Sequence, residues 1–96
     1  MSMNIEAFKE KLKSEGYDVL VERDWAPLTI VEPHTHPFAA KALVVRGELW
    51  LTIGEQTRHL APGDTFELSS GQVHAERYGT EGATYWVGRR PDPAAQ

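Results

Sequence analysis

Cysteine is absent from the 96-residue sequence, which excludes disulfides, thiolate nucleophiles and cysteine-ligated zinc sites. A basic excess is absent too: ten Lys and Arg stand against 14 Asp and Glu, for a formal net charge of −4. Without a basic patch, neither nucleic acid nor an anionic membrane is expected as the main partner. The chain has no apolar run approaching the roughly 18 residues that a membrane span needs. Residues 1–13 are charged and carry no apolar signal core, so residence in the cytoplasm is the expectation.

Helical spacing is scarce. Ile5, Phe8 and Leu12 recur on one face while Lys9, Glu10 and Lys13 cover the other, which predicts one short helix over residues 4–15. Ser2 or Asn4 would cap it, and Gly16 would stop it. Alone it is too short to persist in water, so it must pack on a sheet. Beyond Gly16 the signals are short alternating runs between turn residues. They place strands at residues 17–22, 28–32, 40–45, 48–53, 56–60, 65–68, 73–78 and 83–87. Many short strands at even spacing predict an all-β sandwich or barrel, here one domain over residues 1–96 with its barrel at 17–88. Residues 89–96, rich in Pro and Ala, read as a mobile tail.

What the sequence does have is histidine in a pattern. His34 and His36 lie two apart between Pro33 and Pro37. On a strand, such residues point to the same side. His74 follows the turn-like Ser69-Ser70-Gly71. Three imidazoles on strands, with no thiolate to compete, suit a divalent first-row metal such as Fe, Mn, Ni, Cu or Zn.

The two segments together resemble the cupin family. His34-Thr35-His36, then Pro37-Phe38-Ala39, then Ala40, then six residues to Gly47 follow the first cupin motif. Gly63, residues 64–68, Ser69-Ser70-Gly71, Gln72-Val73 and His74 follow the second. The resemblance covers about residues 28–88 and implies a double-stranded β-helix, the jelly-roll cupin barrel, with a short N-terminal α-helix added. It carries over His34, His36 and His74 as ligands. The family's usual Glu ligand is replaced by Ala40, Ser69 replaces Pro, and Tyr78 stands where Asn is common.

Two carboxylates share the parity of the histidines: Glu32 with His34 and His36, and Glu76 with His74. Either could act as a general base or as a fourth ligand, since a carboxylate in an apolar barrel needs a partner. Ala40, Trp50, Phe66 and Tyr78 are expected to line the pocket. Lys41, of opposite parity to Ala40, should point outward, and His59 should be a solvated surface residue. An all-His ligand set leaves the ion its full charge, which favours a small anionic molecule. Dioxygenase, isomerase or lyase chemistry would follow from an open site, and a metal- or ligand-sensing module without catalysis is the alternative. A homodimer is expected, because three tryptophans and an added helix are a large apolar endowment for so small a barrel.

Overall fold

The computed structural model describes residues 5–91. The expected caps Ser2 and Asn4, and residues 92–96 of the expected tail, lie outside them. Helix α1 spans Ile5–Ser14. Its stripe is Phe8 and Leu12, both buried against Tyr17 and Leu43, with Leu20 and Trp86 packed alongside. Burying two such side chains contributes about 3–6 kcal/mol, enough to hold a helix too short to persist alone. The chain turns at Gly16, where φ is 89°, and the Tyr17 amide donates back to the Leu12 carbonyl at 2.9 Å. Lys41 also clamps this corner, its Nζ lying 2.9 Å from Glu15 Oε1.

Six antiparallel strands follow: β1 (Asp18–Trp25), β2 (Ile30–His34), β3 (Phe38–Ile53), β4 (Gln56–Leu60), β5 (Thr65–Leu68) and β6 (His74–Pro91). The main order is β1-β6-β3-β4, with β2 added to β6 and β5 added to β3. Helix and most strands fall where the sequence places them. Two junctions do not. Residues 40–45 and 48–53, expected as separate strands around an Arg46-Gly47 turn, form one strand, β3. Residues 73–78 and 83–87, expected as separate strands around a Gly79–Gly82 loop, fall from His74 onward in one strand, β6. Arg89, Arg90 and Pro91, expected in the tail, continue β6 and pair with β3.

The reason is that these glycines make bulges inside long strands instead of ending them. The β3–β6 register runs Gly47↔Ala83 and then Leu49↔Tyr78, so residues 79–82 bow out opposite Glu48. β1 pairs with the half of β6 beyond that bow and β2 with the half before it. Gly47 and Gly82 both have positive φ, at 75° and 70°. A Cβ on Gly47 would strike the Gly82 carbonyl oxygen, and one on Gly82 would strike the Trp25 carbonyl oxygen. No other residue type fits such a crossing without displacement.

Each bulge also reverses which residues face inward. On β3, Ala40, Ala42 and Val44 face the core before the bulge, and Leu49 and Leu51 after it. On β6, His74, Glu76 and Tyr78 are buried before the bow, and Ala83 and Tyr85 after it. The main core gathers these with Leu60, Phe66 and Leu68 from β4 and β5. No helix among the described residues is long and apolar enough to cross a membrane.

Candidate metal and ligand site

The three histidines converge. β2 ends at His34, which pairs in register with His74 at the start of β6, and His36 follows in the turn before β3. Their ring nitrogens lie within 4.8 Å of one another. His34 and His74 are 4.2 Å apart between ring centroids, and His36 sits 4.9 Å and 5.1 Å from them. His74 is buried, and His34 and His36 are half-buried at the mouth.

Hydrogen bonding sets which nitrogen each ring offers. His34 Nδ1 lies 2.8 Å from the Glu32 carbonyl oxygen, and His74 Nδ1 lies 3.0 Å from the Gln72 carbonyl oxygen. A carbonyl oxygen only accepts, so Nδ1 is the donor of each ring, and the neutral tautomer this selects presents an Nε2 lone pair to the cavity. Buried His74 Nε2 has no hydrogen-bond partner at all. A buried acceptor without a partner is costly, unless an ion satisfies it. His36 is held below its ordinary value of 6.5, first by burial and then by His74 and His34, with Arg89 adding to the shift. The donor set therefore fits a divalent cation: three converging imidazoles, two of them oriented from behind.

Glu76 reaches the same space. Its Oε2 lies 3.8 Å from His34 Nε2 and 3.9 Å from His74 Nε2. Its Oε1 accepts a 2.5 Å hydrogen bond from the Tyr78 hydroxyl. Tyr78 is itself buried, stacked on Trp25 at 5.1 Å, and its hydroxyl is pushed up strongly by burial. Tyr85 accepts from Trp25 Nε1 at 3.1 Å and is raised for the same reason. Glu76 is thus a buried carboxylate with one oxygen tied to a neutral phenol and the other turned to the histidines.

The cavity at the histidines has a volume of about 110 Å³. Ala40 and Phe66 line it, and Tyr78 backs it through Glu76. Two expectations are corrected. Trp50 lies on the outer face, under the Arg77 guanidinium at 4.2 Å and against His59 at 4.9 Å, because the bulge before it reverses the parity it shared with Ala40. Glu32 is exposed. A register shift between Val31 and His34, at Pro33, breaks the alternation that would have put it beside the histidines. His59 lies at the surface and meets Glu48 Oε1 at 2.6 Å. Lys41 points away from the cavity, toward Glu15.

The sequence over residues 17–96 matches the model of the AraC-like ligand binding domain. The chain belongs to that family of cupin-like domains. Solved structures agree on the fold. A conserved protein with a double-stranded β-helix domain from Klebsiella pneumoniae aligns at 27% identity and a TM-score of 0.68, over 82% of this chain and 71% of its own. A cupin superfamily protein from Desulfitobacterium hafniense aligns at 19% identity and a TM-score of 0.68, over 76% and 66%. Oxalate decarboxylase from Bacillus subtilis, a protein with Mn(II) centres, aligns at 25% identity and a TM-score of 0.68, over 77% of this chain but 21% of its own. No curated protein matches the sequence significantly.

This small cupin domain also places at the site residues that sequence reasoning passed over. Arg23, Trp25, Phe38, Tyr85 and Arg89 line the cavity with the histidines. Phe38 stacks on His36 at 4.9 Å and carries the Arg89 guanidinium at 4.5 Å on its ring. Alternation along β6 would have pointed to Tyr85 and Arg89, had the parity reversal at Gly79–Gly82 been recognised.

Proposed function

We propose that this cupin domain binds a small anionic molecule at a divalent metal ion held by His34, His36 and His74. The observation that carries the reading is the buried, unpartnered His74 Nε2, aimed with its neighbours into one cavity. Bound there, the ion would act as a Lewis acid toward an anionic oxygen. The chain's own contribution is to orient the imidazoles from the Glu32 and Gln72 carbonyls, to keep the base of the cavity apolar through Phe66 and Leu68, and to hold a carboxylate at Glu76. In this reading Glu76 Oε2, 3.8 Å and 3.9 Å from two histidine Nε2 atoms, takes a proton from a bound molecule. Its second oxygen is fixed by Tyr78, so the free one is presented in a defined direction. Dioxygenase, isomerase or lyase chemistry would use open coordination positions, with such a base where a substrate proton must be removed.

The distances from Glu76 Oε2 to two Nε2 atoms also favour a second reading. In it Glu76 coordinates the ion, and the domain is a non-catalytic binding or sensing module. Metal analysis of protein made without a His-tag, followed by competition titrations on E76Q, separates the two. The expected result is about one equivalent of metal in the wild type and its loss in H74A. E76Q should then keep its metal affinity to within about threefold. A drop of about 10–100-fold, the usual effect of losing a supporting metal-site group, favours the second reading. A wild-type protein that takes up no Fe, Mn, Ni, Cu or Zn overturns both.

A further inference from the structure

The cavity has a charged rim that the three-His site does not use. Arg89 stands directly opposite Ala40 in the β3–β6 register. Residues so paired project to the same side of a sheet, and both line the cavity. Ala40 is buried and ends at its methyl group, so the volume in front of it belongs to the cavity. Arg23, opposite Tyr85 on β1, lines the same cavity. Neither guanidinium has a carboxylate partner among the described residues. Each is instead braced on an aromatic ring, Arg89 on Phe38 at 4.5 Å and Arg23 on Trp25 at 5.2 Å. Such bracing holds a guanidinium in place and leaves its N–H fork free.

We propose that Arg89, assisted by Arg23, is the carboxylate anchor of this site, and that the anchored carboxylate of the ligand fills the space in front of Ala40. The inference rests on the reading of the cavity as the ligand site and names the ligand class: a small carboxylic acid. A planar guanidinium fork matches a planar carboxylate with two parallel hydrogen bonds, better than it matches a neutral hydroxyl. The size agrees. A volume of about 110 Å³ is roughly four waters' share of liquid, which admits a short acid and excludes a nucleotide or an extended peptide. Glu76, beside the histidines, is the only acidic lining residue among the described residues. The arginines on one side and Glu76 beside the histidines therefore give the ligand a direction, with its carboxylate at Arg89 and its other oxygens toward the histidines.

The test is calorimetric titration of acetate, oxalate, malonate and inorganic phosphate into metal-free and Zn-loaded protein. Wild type, R89Q, R89K and A40E are compared, with folding checked by circular dichroism. Oxalate or malonate should bind wild type. R89Q should bind about tenfold more weakly, with its zinc affinity within about threefold of wild type. R89K, which keeps the charge and loses the fork, should fall between them. A40E should weaken carboxylate binding as its own side chain fills the space and neutralises Arg89. Carboxylate affinity that is equal in wild type and R89Q overturns the proposal, as does phosphate binding as tightly as the acids, or no acid binding in either metal state. Failure of the metal reading has a different signature. If zinc does not bind but a carboxylate still binds the metal-free protein through Arg89, the anchor stands and the metal site falls.

Discussion

At the scale of single residues, two charge pairs link elements that packing and strand pairing already hold together: Glu15 with Lys41, and Asp24 with Arg46. Glu15 is held below its ordinary 4.5, first by its hydrogen bond from Lys41. Asp24 is held below its ordinary 3.8, first by the Thr84 hydroxyl and then by Arg46. Each carboxylate therefore binds its proton less readily folded than unfolded. Their contribution to stability is complete above the unfolded values and is lost as pH falls through the lowered ones. The thermal midpoint of the wild type should fall between about pH 5 and pH 3, and K41Q should flatten that fall while lowering the midpoint at neutral pH. Because both carboxylates are solvent-facing, the effect is small and shrinks with added salt. An unchanged pH profile in K41Q would show that the Glu15 contact does not act on stability. The same scale explains the site's readiness for a cation: two backbone carbonyls, each two residues before its histidine, decide which ring nitrogen faces the cavity.

Elements carry the next lesson, through the bulges. Gly82→Ala should cost about 2–3 kcal/mol or more in a urea titration, since it adds backbone strain to a collision with the Trp25 carbonyl. A cost below about 0.5 kcal/mol would mean that the strands do not cross so closely. These glycines also set what was legible in the sequence. The helix at Phe8 and Leu12, the strands β4 and β5, and the three-His cluster could all be read, because each is local or follows unbroken alternation. Ala40 and Phe66 lie on such unbroken stretches, and both face the cavity. Trp50 and Glu32 were misplaced because alternation fails across a bulge, and a Gly that permits a turn permits a bulge equally well. Arg23 and Arg89 were invisible as site residues. A lone arginine on a strand has no spacing signal, and Arg89 lay in a stretch whose prolines suggested a tail.

For the whole molecule, the expectation of a homodimer now rests on different residues. All three tryptophans are engaged within the chain, on Tyr78, on Arg77 and beside the helix. Among the described residues the most exposed large apolar side chains are Leu28 and Ile30, at 67% and 66% exposure, and Val73, with Val45 less so. Leu28 has a φ of 60°, which a branched residue adopts at a cost of about 1 kcal/mol. β2 hydrogen-bonds only to β6, so these residues flank an open sheet edge that a second copy would cover. Light scattering should give twice the chain mass at roughly tens of micromolar, and Ile30→Lys should return the monomer mass. A wild-type monomer would remove the dimer from the account. The register of β6 has one more consequence, for the order of events during synthesis. β1 and β2 need β6 for their ladders and β3 makes its longest one with it, yet β6 is translated after every one of them. A nascent chain holding β1–β5 has only the β3–β4 and β3–β5 pairs to form, with two strands waiting for a partner. Closure is then dominated by contacts distant along the chain, which makes it slow and leaves unpaired edges open to aggregation in the interval. His74 arrives on that same strand, so the three-His cluster acquires its last imidazole in the step that closes the sheet.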